Sequence, residues 1–161
     1  MRQPAVVLVD AWPQPHSVSE ALTFASESEL IVRYVVAGGE RAALIHFPLV
    51  SSFRFGSPND EALGGHPLAK FGLKPYCVHR VENSPWIADL EQQNSVHPRH
   101  NKVRFMESKA HYIFTFQDSV LECIVNEGQW TPRVRTFDDA LVARREWRDL
   151  IAQLTGDQED F

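Results

Sequence analysis

The chain predicts an α+β protein built on a curved, mainly antiparallel β-sheet, barrel-like in its curvature, with a short central helix and an amphipathic C-terminal helix packed on one face. Three observations predict it. Two long stretches alternate side chains around tight-turn residues, the pattern of β-hairpins. The end of the chain spaces its apolar residues at a helical period instead. Strands outnumber helices and follow one another through hairpins, without the strict βαβ alternation of a parallel sheet.

Taken in order, Ala5 to Val9 is a β-branched run, a first strand ended by Asp10, Pro13 and Pro15. From Leu22 the pattern turns to β. Leu30, Val32, Tyr34 and Val36 alternate with Ile31, Arg33 and Val35, Gly38-Gly39 supplies the positive φ of a tight hairpin, and Ala42 to Phe47 runs back. Pro48 lacks a ladder donor, so the return strand is expected at an edge or bulged there before continuing through Phe53 and Phe55.

The stretch SPNDEALGGH, residues 57 to 66, follows. Ser57-Pro58 reads as a helix cap and first turn, Asn59, Asp60 and Glu61 suit the electropositive start of a helix, and Gly64 stands at a left-handed C-cap. Gly65, His66 and Pro67 keep no structural duty. Tyr76 to Val81 is a further strand. Ser84 then caps a helix opened by Pro85, with Trp86, Ile87 and Leu90 on one face and an end near Asn94.

In the second hairpin Tyr112, Phe114 and Phe116 alternate with Ile113 and Thr115, Gln117-Asp118-Ser119 turns the chain, and Val120 to Val125 returns. Thr136 is expected to cap the last helix, with Asp138 and Asp139 in its first turn and Arg144, Arg145 and Arg148 later, matching the macrodipole. Leu141, Trp147, Leu150, Ile151 and Leu154 form its apolar stripe, and Gly156 ends it.

With 161 residues the chain fits one domain over residues 1–155, followed by an acidic flexible tail at 156–161. A domain of this size buries about two thirds of its unfolded surface and needs no disulfide or structural metal to fold. Cys77 and Cys123 show no CxxC or zinc-knuckle spacing and are read as reduced core thiols. The apolar run Ala5–Val9 is too short for a signal-peptide core or a membrane span, which points to the cytoplasm and to no membrane association.

The net charge is −5, and three acids of the tail, Asp157, Glu159 and Asp160, account for much of it. Nucleic-acid affinity rests on Lys and Arg neutralising phosphates, so nucleic acid is not an expected partner. Even the densest basic stretch, Arg99, Lys102, Arg104 and Lys109, is diluted by Glu107.

Few constellations carry chemistry. His97 and His100 in VHPRHN would share one face of a helix and a metal, with His66 as third ligand and Asp60, Glu61 or His111 completing the set, although Pro98 disfavours a regular helix there. Asp60 and Glu61 are the candidate acid–base carboxylates, pointing about 100° apart on a helical turn and needing a partner such as His66 or Asp118. Asn59 and His66 are candidate ligand contacts beside them. Cys77 and His79 fall on one strand face, loosely spaced for a thiolate–imidazole pair.

No GxSxG elbow and no glycine-rich phosphate loop occurs, so no nucleotide cofactor is expected, and a divalent metal is the cofactor left to consider. The expectation is a non-catalytic binding protein for a protein partner or a small molecule, with an inhibitor or immunity protein as one concrete form, capable of homodimerising through a sheet edge. Its alternative is a metal-assisted hydrolase in the loop-rich stretches 57–75 and 95–109, with the metal lowering the pKa of a bound water.

Overall fold

The computed structural model describes residues 2–18 and 20–156. The acidic tail beyond Gly156 lies outside the described residues. Nine strands run through them: β1 Ala5–Leu8, β2 Leu22–Ala25, β3 Leu30–Val35, β4 Ala42–Phe47, β5 Val50–Gly56, β6 Val78–Glu82, β7 Lys109–Thr115, β8 Val120–Asn126 and β9 Arg133–Phe137. The helices are α1 Pro85–Asn94, α2 Lys102–Ser108 and α3 Ala140–Thr155, with short 3₁₀ turns at Asp60–Gly65 and Ala69–Phe71.

The strands form two antiparallel sheets, ordered β1-β6-β7-β8-β5 and β2-β3-β4-β9, packed face to face rather than closed into a barrel. One core fills the space between them. Leu30, Val32, Tyr34, Ala43, Ile45 and Phe47 of the smaller sheet meet Val78, Tyr112, Phe114, Leu121 and Cys123 of the larger. These are alternate residues of each strand, as a half-buried pleat requires. Phe114 lies edge-on to Phe47 and Tyr34, and Trp12 stacks on Tyr112 at 4.9 Å between centroids.

Pro48 is where the chain changes sheets. The expected continuous return strand is instead two strands: β4 pairs with β3 and β9, whereas β5 pairs with β8, with a register shift between Val50 and Ser52. Gly38 and Gly39 turn the β3–β4 hairpin with φ of 100° and 86°, as their placement predicts.

Two caps differ from expectation for the same reason. Asn59, not Ser57, caps the turn at Asp60–Gly65, its Oδ1 accepting the Ala62 N–H, and the turn ends at His66 rather than at a left-handed Gly64. Asp139, not Thr136, caps α3, because Thr136 is taken into β9 opposite Ala43. In both places a capping residue nearer the helix displaced one that looked equally competent. Ser84 caps α1 and Gly156 ends α3 at φ 74°, as read from the sequence.

The outer faces of the two sheets are covered differently. Helix α3 lies on the smaller sheet through Ala143, with Arg33 over the Trp147 ring at 5.7 Å. On the larger sheet Val6, Val81, Ile113 and Val120 form a second cluster with Leu63 and Leu68, which the 3₁₀ turns press onto it. Helix α1 covers the neighbouring part through buried Ile87 and through Trp86, whose ring meets His111. No helix is long and apolar enough to cross a membrane, among the described residues.

Candidate functional site

Between the 3₁₀ turns and α1, the outer face of the larger sheet is left uncovered beside the edge strand β5. The central residue there is Glu122. In β8, Val120, Glu122 and Ile124 share the outward side, opposite Leu121, Cys123 and Val125 in the core, so strand alternation places a carboxylate among apolar side chains. A buried carboxylate needs hydrogen-bond donors.

Two imidazoles supply them. His66 Nε2 lies 3.0 Å from Glu122 Oε2, and His111 Nε2 lies 3.0 Å from Oε1. His111 stands on β7, where its register partner is Ile124, and its side chain is almost wholly buried. His66 ends the first 3₁₀ turn, held between the anchoring residues Leu63 and Leu68.

The proton positions follow from what surrounds each ring. Leu68 N–H donates to His66 Nδ1 at 3.0 Å, so Nδ1 is an acceptor and the ring's proton sits on Nε2, directed at Glu122. On the other ring, the ionised Glu122 can only accept, so His111 Nε2 carries the proton directed at it, while Ser84 Oγ, which accepts the Ile87 N–H at 3.2 Å, lies 2.7 Å from His111 Nδ1. Each oxygen of Glu122 thus receives one N–H, and each retains a lone pair.

Burial by itself would raise the Glu122 pKa, but the hydrogen bonds it accepts from His111 and His66 act against this, and the pKa is lowered to about 2. The carboxylate is a fixed anion across the physiological range.

Glu122 and His66 both line two adjoining hollows. The larger, about 560 Å³, is walled by Arg54, Gly56, Pro58, Gly65, Pro67 and Val120. The smaller, about 170 Å³, adds Leu68, Pro85, Trp86, Asp89 and His111. Arg54 borders both. It is the register partner of Glu122 across the β5–β8 ladder, yet its guanidinium lies 3.9 Å from the Trp86 ring centroid and pairs with no carboxylate among the described residues.

Of the residues singled out from the sequence, His66 is in this cleft and Gly65 and Pro67 form its wall. The others are elsewhere. Asn59 caps its turn, Asp60 accepts the Tyr76 hydroxyl, and Glu61 is exposed. His97 accepts the Arg99 N–H in a surface turn, while His100 sits between Glu91 at 2.7 Å and Asn94 at 2.9 Å.

The trio His66, His97 and His100 is therefore not assembled, and no group of three His, Cys, Asp or Glu side chains is arranged to hold a metal among the described residues. At His66 the chemistry points the same way, since the Leu68 N–H keeps Nδ1 unprotonated and leaves no Nε2 lone pair for a metal. Cys77 and His79 form no dyad either: His79 is buried, bonded to Lys74 N–H and to the Ile113 carbonyl.

The sequence reading missed Glu122, His111 as its partner, and Arg54. One signal was available for the first. In VLECIV the only charged residue falls on the same side as Val120 and Ile124, and an acid in an apolar row implies buried donors.

The fold and site define an α+β protein of two packed antiparallel sheets with a cleft centred on a carboxylate that two imidazoles hold. Comparison with protein-family models, with curated proteins and with solved structures finds no match.

Proposed function

We propose that this chain is a non-catalytic binding protein that receives a small organic ligand in the Glu122 cleft. The observation that carries the proposal is the clamped carboxylate: two N–H donors and a pKa of about 2 make Glu122 a poor proton acceptor at neutral pH but a rigid hydrogen-bond acceptor. General bases are tuned the other way, toward the working pH. The hollow is of small-ligand size, concave, and lined by apolar walls with a few converging polar groups. Among the binding forms open to such a fold, that shape favours a small molecule over an inhibitor- or immunity-type protein contact.

The free thiols Cys77 and Cys123 support a reducing, cytoplasmic setting. Self-pairing, where it occurs, would use the edge strand β5, whose Phe53 and Phe55 are exposed.

A thermal-shift screen of small molecules against the full chain tests the proposal, because a ligand that binds only the native state raises its melting temperature. Gly65→Leu is the companion variant. Gly65 has no left-handed φ, and a Cβ built there meets nothing within 4 Å, so a larger side chain fills the cleft without straining the fold. Stabilising compounds should lose their effect in Gly65→Leu. A screen without hits, or hits indifferent to Gly65→Leu, would sink the small-ligand reading.

A further inference from the structure

Arg54 and Glu122 are cross-strand neighbours of opposite charge on the same face, an arrangement in which side chains ordinarily pair. Here they do not. Glu122 spends one lone pair of each oxygen on an imidazole, and Arg54 is drawn onto Trp86, so no ion pair joins them. Both charges border the same two hollows.

We infer that the cleft takes a zwitterionic ligand of amino-acid or dipeptide size, its ammonium on the free lone pairs of Glu122 and its carboxylate on the Arg54 guanidinium. This rests on the small-ligand reading above and adds the ligand's class to it. A purely anionic ligand meets Glu122 and, in the smaller hollow, Asp89 as like charges. A purely cationic one faces Arg54. Only a molecule with both charges answers both walls, and the planar guanidinium fork is matched to a carboxylate's two oxygens. The stack on Trp86 holds Arg54 in place beforehand, which lowers the ordering cost of binding. The hollow beyond, toward Gly65 and Pro58, accommodates a side chain or second residue.

The test is calorimetric titration of the full chain with the common free α-amino acids and a set of glycyl dipeptides, followed by the C-terminal amide and the N-acetyl derivative of each binder. A zwitterion should bind, and removal of either charge should weaken it at least about tenfold. In Arg54→Gln, at an exposed position on the edge strand, the free acid and its amide should bind alike. If the amide binds wild type as tightly as the parent and Arg54→Gln changes nothing, the zwitterion inference is overturned while the small-ligand reading stands. The same holds if no amino acid or dipeptide binds but other small molecules do and Gly65→Leu blocks them. Should no compound of either kind bind, both fall.

Discussion

The two outer faces of this protein each carry a histidine bonded to a glutamate, and they differ in what lies above. On the smaller sheet His46 Nε2 meets Glu29 Oε1 at 3.0 Å, one imidazole to one carboxylate, on the face that α3 covers. On the larger sheet Glu122 takes two imidazoles and opens onto a cleft. The lesson concerns satisfaction of the carboxylate. Glu29 is singly bonded and its side chain is partly open to solvent, so its partner adds modestly to stability. Glu122 is shielded from water on the protein side and relies on His66 and His111, and what remains of its accepting capacity is directed at the cleft.

The same substitution at both sites sharpens that contrast. In Glu122→Gln the new amide NH₂ confronts an imidazole N–H, a donor against a donor in a buried place, and equilibrium denaturation should show a loss of about 2–3 kcal/mol. Glu29→Gln keeps a carbonyl oxygen for the single His46 N–H and should cost less than about 1 kcal/mol. Equal losses at the two sites would break the comparison.

Acid should separate them as well. The Glu122 pKa is depressed to about 2, so its contribution is fully present above the ordinary carboxyl value of 4.5 and disappears as pH falls toward 2. The stability gap between wild type and Glu122→Gln, measured by urea denaturation, should accordingly be constant from neutral pH to about 5 and close below it. A gap that closes already near neutral pH would contradict the clamped carboxylate.

Ser84→Ala removes both the cap of α1 and the hydroxyl partner of His111 Nδ1, and should cost about 1–2 kcal/mol. Because it frees the His111 tautomer while leaving the Leu68–His66 bond intact, the ring whose nitrogen shifts change by NMR should be His111 alone. The smallest effect belongs to Glu61→Gln, an exposed change that should stay within about 0.5 kcal/mol and leave binding untouched.

How much of this was legible in the sequence depends on the range of the interactions. The hairpins at Gly38-Gly39 and Gln117-Asp118-Ser119, the Ser84-Pro85 helix start and the Gly156 stop rest on neighbouring residues and stand where expected. The sheet change at Pro48 and the capture of Thr136 by β9 depend on which strand is nearest in space, which alternation does not encode. The site shows the same division. His66 drew notice because no local rule used it, while Glu122 looked like part of a strand, and the two are 56 residues apart. VHPRHN drew notice through spacing alone, and the local turn and Glu91 account for both its histidines.

The central claim is that Glu122 is a fixed anion held by two imidazole N–H donors. Its carboxyl carbon, followed by ¹³C NMR through an acid titration of the wild-type chain, tests it most directly. The shift should remain that of the carboxylate from neutral pH down to about 3.5, with protonation only toward a pKa of about 2. A carboxyl titrating at or above the ordinary value of 4.5 would contradict the clamp.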